Sequence, residues 1–361
     1  MMPAVTAARH RFALEIRQQL SWQRQAIILG LAILAGFAIS AIILIAAGVS
    51  ATDLLNEFVI QTFFDAQNVQ AVLFQAAPMI MIGLAAALAF RVRFWNLGLE
   101  GQMIWGAIGA TAISILEIGP ESTRLLLMFA TAALAGLLWA LGPAFLKLRL
   151  GVNEIISTLM LNYVASNFLL HLLYGIWKDP QSAFPHSPQF KVFERLPEIA
   201  TGFSSAIVIA LVIAIAVWWL TDVSRAGLYM RFVYANRRMA EAVGVAVKHV
   251  MLGAVLVSGA LGGVAGFVVA AGQEGRLTQG FFQGYGFSGI LIAFLARNHP
   301  IAAAIVAVLV AGLFVTGRTL QVFYQIPFAM VQLIQAIIVI CVAASEFFIR
   351  HRVHRVAVEA A

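Results

Sequence analysis

Residues Met251–Ala271 read MLGAVLVSGALGGVAGFVVAA, a run of 21 residues without a charged side chain. A helix of about 20 apolar residues spans the hydrocarbon core of a bilayer, so this run predicts a transmembrane helix. Its glycines include two pairs four residues apart, a spacing that lets neighbouring helices approach closely. The predicted packing glycines are Gly259, Gly262, Gly263 and Gly266.

The composition of the whole chain indicates that lipid is its solvent. Of the 361 residues, 62% are hydrophobic and 11% are charged, and the mean hydropathy is +0.93. A soluble domain cannot bury that much apolar surface. The net charge of +7 does not indicate nucleic-acid binding, because the basic residues cluster at the ends of apolar runs. Cys341 is the only cysteine in the sequence, which excludes an intrachain disulfide and a cysteine metal site.

Ten apolar runs predict an all-α, polytopic membrane protein with about ten transmembrane helices, some of them short or broken. No polar linker divides the runs, so we expect one transmembrane domain at 25–349, between an N-terminal segment at 1–24 and a tail at 350–361. The first run lacks a persuasive cleavage site and predicts an uncleaved helix. The third and eighth runs are shorter than a full span requires. The runs lie near Ile27–Val49, Val69–Phe90, Met103–Leu116, Leu125–Leu146, Ile155–Gly175, Ser204–Leu220, Met251–Ala271, Phe287–Ala296, Ile301–Val315 and Ile326–Phe348.

The charge distribution predicts that both termini are cytoplasmic. With ten crossings, 17 of the 23 Lys and Arg residues fall on the side of the termini, as the positive-inside rule requires. The basic loop at 221–249 is then cytoplasmic, and the longest loop on the other side is 176–203. Four prolines and several aromatic residues stiffen this outer loop. It is either a docking surface for an extracytoplasmic partner or a lid packed on the helix ends.

The basic loop contains a helix-compatible stretch, Asn236–Gly244. A loop between two spans needs only to connect them, so an ordered helix on the cytoplasmic side predicts contact with a soluble partner. The glycine-rich helix that follows is suited to transmit motion from that contact.

Two glycine-rich interruptions break the apolar pattern. The first, Phe94–Gln102, contributes Asn96, Glu100 and Gln102 as candidate residues of a solute path, because non-helical backbone at membrane depth is buried in protein or lines a water-filled cavity. The alternative is a tight cytoplasmic turn in which Glu100 caps the next helix. The second interruption, Gln273–Gly289, is predicted on the opposite side of the membrane.

A polar stripe follows the helix that begins near Asn153. Its members recur every four residues and therefore share one face, which we expect to point toward the bundle interior or a solute path. The alternative is interhelical hydrogen bonding that only holds the bundle together. The candidate path residues on this helix are Glu154, Thr158, Asn162, Tyr163 and Ser166.

Three motifs resemble the permease subunits of bacterial ABC importers for nucleosides, within the branched-chain amino acid, ribose and simple-sugar permease superfamily. The motifs are FWNLGLEGQ at 94–102, GVNEIISTLMLNY at 151–163, and GYGFSGI at 284–290 followed by Asn298-His-Pro300. The resemblance extends from about Ala71 to the last helix. The N-terminal extension is similar to that of the longer of the two permeases that such operons usually encode.

The resemblance implies the partners and the mechanism. A cytoplasmic ABC ATPase would bind ATP and Mg²⁺, so this chain would carry no cofactor and would not be an enzyme. A second, shorter sister permease would complete the path across the bacterial inner membrane. An extracytoplasmic binding protein or lipoprotein would deliver the solute, and alternating access would move it inward.

In that family the basic loop supplies the coupling helix that docks on the ATPase. Asn236, Ala240, Gly244 and Val245 match the family pattern, whereas Arg237 stands where Pro is usual. Basic side chains at this position predict charge pairs with the ATPase. The predicted coupling residues are Asn236, Arg237, Arg238, Ala240, Glu241, Gly244 and Val245.

Other functions compete with this interpretation. An ion-coupled secondary transporter would need an intramembrane acid, and Glu100 and Glu154 are the candidates. A simple-sugar ABC permease and a membrane scaffold or enzyme subunit are further alternatives. The stretch Gly312–Thr319 resembles a P-loop, but a P-loop follows a strand in a soluble domain, so no nucleotide site is predicted. The solute itself is open among nucleosides, simple sugars, purine bases and riboflavin-like molecules.

Overall fold

The structure is a computed structural model that describes residues 9–16, 20–56, 60, 62–200, 203–282 and 284–358. Each of the ten predicted runs coincides with a helix. Eight helices within the described residues are long and apolar enough to cross a membrane, and the third and eighth runs form shorter helices of 17 and 11 residues. The helices are α1 Trp22–Ala46, α2 Ala51–Leu55, α3 Thr62–Phe64, α4 Ala66–Phe90, α5 Leu99–Ile115, α6 Glu121–Leu150, α7 Glu154–Tyr174, α8 Ser205–Trp218, α9 Arg225–Ala235, α10 Arg237–Ala242, α11 Val247–Val268, α12 Tyr285–Leu295, α13 Pro300–Tyr324 and α14 Phe328–Arg350.

The chain divides into two compact units, one formed by 1–51 with 329–361 and the other by 52–328. In the first unit, the strands β1 (Arg9–Ile16) and β4 (His351–Val358) pair antiparallel, with Arg9 opposite Val358. The sequence predicted helices only. This ladder joins residues near the two ends of the chain, so no pattern of neighbouring residues predicts it.

The second unit is built around α4 and α11, the two most buried of its long helices. The packing glycines of α11 face two different neighbours. A side chain at Gly259 or Gly263 would collide with the backbone of α6 at Gly136, and one at Gly263 also with the Ala132 carbonyl. A side chain at Gly266 would collide with the Met103 carbonyl of α5, and one at Gly262 with the Gln102 side chain. The absence of side chains at these positions therefore brings α11 into contact with α5 and α6 at once.

The described part of the predicted outer loop is packed against the helix ends. Glu194 is fully buried in it and pairs with Arg124 at 3.1 Å. Ser114 and the Lys191 backbone N–H donate to the other oxygen of Glu194. The loop also runs beside the chain that follows α11, since the N–H of Leu196 donates to the Ala271 carbonyl. These contacts agree with the alternative in which the outer loop is a lid packed on the helix ends.

The edge of this loop carries an exposed ion pair. Lys191 Nζ lies 2.6 Å from Glu117 Oε1. The hydrogen bond from Lys191 lowers the pKa of the Glu117 carboxyl below its ordinary value, and the positive charge of the same side chain adds to that effect.

Two short strands, β2 (Glu198–Ala200) and β3 (Phe203–Ser204), pair where the loop returns to α8. A cavity of about 320 Å³ lies near this hairpin, at the start of α4. It is lined by Gln67, Gln70, Ala71, Phe74, Leu196, Glu198, Ser204 and Gly272.

Candidate functional site

The first interruption folds back into the protein after α4 ends. Asn96 is completely buried, and its amide group donates to Gln102 Oε1 at 3.1 Å and to Ser258 Oγ at 3.0 Å. Ser258 in turn donates to the Ala85 carbonyl of α4 at 2.7 Å. Asn96 is therefore linked through Ser258 to Ala85, which lies more than a turn inside the end of α4. We call this largely buried segment the re-entrant loop; within it, the Trp95 side chain is 41% exposed.

The polar stripe of α7 holds this loop in place. The N–H of Leu97 donates to Thr158 Oγ1 at 3.3 Å, and Asn162 Nδ2 donates to the Leu97 carbonyl at 2.8 Å. Asn162 Oδ1 also accepts from the N–H of Gly101 at 2.9 Å. These bonds satisfy backbone groups that the broken helix leaves without partners. The contacts match the bundle-holding alternative for Thr158 and Asn162.

The other predicted path residues occupy different positions. Glu154 is buried and pairs with Lys147 at 2.6 Å, close to the end of α6. Tyr163 is 66% exposed on the outer face of α7, and Ser166 is half-buried. Asn96 and Gln102 satisfy each other's amides. The role of these side chains in a solute path stays a prediction, and Glu100 occupies a distinct position described below.

The second interruption is also re-entrant. It passes through Gly275, Gly280 and Gly284, whose positive φ angles of 63°, 85° and 82° favour glycine. The buried Tyr285 hydroxyl then donates to Gln273 Oε1 at 3.0 Å and accepts from Gln75 of α4 at 2.8 Å. These bonds seat the first turn of α12 against α4.

The two interruptions meet inside the bundle. Glu100, in the first turn of α5, accepts a hydrogen bond at 3.3 Å from the N–H of Gly286, in the first turn of α12. A side chain at Gly286 would overlap Glu100, since its Cβ would lie 2.7 Å from Glu100 Cγ. The sequence placed the interruptions on opposite sides of the membrane. They converge because both loops fold inward from their helix ends.

The basic loop forms two helices, α9 and α10, joined at Asn236. Asn236 caps α10, since its side chain accepts from the N–H groups of Arg238 and Met239. Ala240 is buried and packs in a core cluster that includes Phe94 of the re-entrant loop. Gly244 ends the segment with a φ of 85°, and Val245 is half-buried against the same cluster. One face of α10 therefore anchors it to the transmembrane core.

The opposite face of α10 is open. Met239 and Val243 are 68% and 69% exposed and lie one turn apart. Arg237 pairs with Glu241 at 3.3 Å along the exposed surface, and Arg238 is exposed beside them. An apolar pair bordered by charges has the character of a protein-docking surface.

Arg91 at the end of α4 connects three elements, a role that the sequence did not reveal. Its guanidinium pairs with Asp222 at 3.1 Å and donates to the Asn298 carbonyl at 2.8 Å. Asp222 also pairs with Arg231 of α9 at 3.0 Å. The end of α4, the basic loop and the turn before α13 are thus linked by charge-assisted hydrogen bonds. In the sequence, Arg91 was only one of the 17 basic residues assigned to the side of the termini.

No group of three or more His, Cys, Asp or Glu side chains is placed to hold a metal ion in the part of the chain that the structure describes. The P-loop-like stretch Gly312–Thr319 lies within the continuous helix α13, so it has the wrong backbone for a phosphate cradle.

Apolar helices, two of them broken and meeting at their N-termini, define a membrane transport protein of the permease class. Residues 68–343 match the model of the family described as branched-chain amino acid transport system / permease component. The chain belongs to this family. It is a multi-pass membrane permease subunit of an ABC transporter, and ATP hydrolysis occurs on a separate subunit.

Individual relatives extend over nearly the whole chain. It is 32% identical to the glucose ABC transporter permease protein TsgB13 of Haloferax volcanii, covering 90% of this chain and 88% of that protein. It is 31% identical to the guanosine ABC transporter permease protein NupP of Bacillus subtilis, covering 87% and 92%. A solved metal-chelate type ABC transporter in an inward-facing conformation is 17% identical, with a TM-score of 0.44 over 88% of this chain and 97% of that one.

Proposed function

We propose that this chain forms one half of a translocation path for a nucleoside or similar small polar solute, driven by ATP hydrolysis on a cytoplasmic ABC ATPase. The convergence of α5 and α12 carries the proposal, because half-helices whose N-termini meet inside the bundle are typical of solute sites in transporters. Similarity to permeases named for guanosine, nucleosides and glucose supports solutes of the nucleoside and sugar classes.

The partners follow from the same relatives. Bacillus subtilis and Lactococcus lactis each have two permeases that this chain resembles, NupP with NupQ and NupB with NupC. A pair of permeases in each organism supports a second, shorter sister permease beside this one. An extracytoplasmic binding protein or lipoprotein delivers the solute, and the complex resides in the bacterial inner membrane.

The helix α10 is the proposed coupling helix. Its exposed face, with Met239 and Val243, offers the ATPase an apolar contact, and Arg237 and Arg238 offer charge pairs. Its buried face is fixed by Ala240 to the cluster that contains Phe94. A displacement of α10 on ATP binding would reach the re-entrant loop through this packed cluster, since close-packed interiors transmit strain. ATP and Mg²⁺ are bound by the partner ATPase.

A charge placed on the exposed face of α10 tests the coupling assignment. Met239→Asp adds a carboxylate at a position that makes no core contact, so we expect normal membrane insertion, little ATPase in purified complexes and little uptake. Val192→Asp is the matched control, since Val192 is 85% exposed on the predicted outer loop. It should retain the ATPase at the wild-type ratio. Wild-type ATPase recovery with Met239→Asp would remove α10 as the docking site.

Energy dependence tests the function itself. Proteoliposomes that contain both permeases, the ATPase and the binding protein should accumulate labelled guanosine or glucose only when ATP is supplied. Accumulation driven by a proton or sodium gradient without ATP would identify a secondary transporter instead.

A further inference from the structure

The carboxyl group of Glu100 lies at the junction of the two broken helices. It belongs to the first turn of α5 and accepts the N–H of Gly286 in the first turn of α12. Helix N-termini carry positive partial charge and favour an anionic group near them. The first turns of the two half-helices therefore orient this carboxyl group.

Contacts between α12 and α4 give the depth of this junction. The two helices run parallel, because Tyr285 contacts Gln75 and the segments around Gly289 and Ile82 touch further along. Gly286 falls between these two contacts. It is therefore level with the middle third of α4, a helix of 25 residues. Glu100, bonded to Gly286, lies at the same level of α4.

Glu100 is partly exposed at that depth, in contrast to the completely enclosed Asn96 and Gln102 beside it. Within the described ranges, no Lys, Arg or His side chain lies within salt-bridge distance of it. A carboxyl group facing hydrocarbon is costly, and such groups line polar cavities or solute pathways. The accessible edge of Glu100 is therefore open to a polar solute in the path proposed above.

We propose that Glu100 accepts hydrogen bonds from the ring hydroxyl groups of the solute as it passes the middle of the membrane. The inference rests on the proposed function and narrows its substrate class. Nucleosides and simple sugars share neighbouring hydroxyl groups on a ring, and a carboxylate with two acceptor oxygens matches such a pair. A free purine base lacks these groups and gains nothing from this contact.

The test uses the complete transporter in proteoliposomes, with labelled guanosine and labelled glucose as probes. Glu100→Gln preserves the size of the side chain and the acceptor for the Gly286 N–H, but it removes the charge. We expect uptake of the transported probe to fall about tenfold or more, the effect of weakening one charge-assisted hydrogen bond. ATP hydrolysis stimulated by the binding protein should stay near the wild-type rate. Glu100→Asp, which keeps the carboxylate, should recover part of the uptake.

Glu121→Gln is the matched control, because Glu121 also lies in the first turn of a helix, α6, but is exposed at the predicted outer surface. It should transport like the wild type. Unchanged uptake by Glu100→Gln would overturn the assignment, and so would an equal loss of uptake and ATP hydrolysis, which would show a purely structural link between α5 and α12. A wild-type complex that imports neither probe with ATP would overturn the proposed function itself.

Discussion

The close approach of α11 and α6 makes a quantitative prediction about Gly263. Replacing it with Ala would place a methyl group against the Ala132 carbonyl and 3.1 Å from Gly136 Cα. Both contacts are backbone atoms, so no side-chain rotation relieves them and the helices must separate. Overpacking of this kind lowers the free energy of unfolding by about 1–3 kcal/mol. The higher helix propensity of Ala offsets at most about 1 kcal/mol of that loss.

Gly253→Ala on the same helix isolates the packing effect. Gly253 is exposed, and an added Cβ there has no neighbour within 4 Å. Both variants gain the same helix propensity, so their difference in stability measures the collision alone. Thermal unfolding of the detergent-purified permease, followed by intrinsic fluorescence, should show a midpoint several degrees lower for Gly263→Ala than for Gly253→Ala.

Equal midpoints for the two variants would refute the reasoning. They would mean that α6 and α11 do not approach through Gly263, and that the glycine spacing in this helix serves another purpose. Unfolding midpoints below the wild-type value in both variants would instead show that α11 does not tolerate alanine at either glycine.

Three further predictions concern other elements. Ala240→Leu overfills the cluster beneath the coupling helix, and Gly244→Val forces a β-branched residue into a positive φ of 85°. Both variants should insert in the membrane but lose uptake and ATPase recovery. Normal transport by either variant would contradict the coupling assignment. Glu194→Ala leaves the buried Arg124 without its carboxylate partner, which should lower the free energy of unfolding by about 3–5 kcal/mol and lower the unfolding midpoint. An unchanged midpoint would show that this ion pair does not fix the outer loop to the helix ends. Arg91→Gln breaks the link between three elements and should lower uptake per ATP hydrolysed, whereas a wild-type ratio would argue against transmission through it.

Much of the helical framework was predictable from local sequence. The ten apolar runs identified ten of the helices, because the length of an apolar run reports directly on the thickness of the bilayer. The packing glycines of α11 were recognisable from their spacing, although the sequence did not show that Gly259 and Gly263 meet α6 while Gly262 and Gly266 meet α5.

The candidate site was less predictable. Asn96 and Gln102 were identified as polar residues at a broken helix, but their mutual hydrogen bonds depend on the loop folding back beside Ser258, about 160 residues away. The α7 stripe was expected to face inward, and Thr158 and Asn162 do contact the loop. Tyr163, a candidate path residue outside the stripe, is exposed. Arg91 carried no local signal for its contacts with Asp222 and Asn298.

By itself, the sequence determined that this protein is solvated by lipid, where its ten apolar helices lie, and where two of them break. These properties depend on composition and on contacts between residues near one another in the chain. Only the tertiary structure decided that the breaks at Gly98 and Gly284 meet in the middle of the bundle with Glu100 between them. That meeting depends on the long-range packing of α4, α5 and α12, which no local pattern encodes.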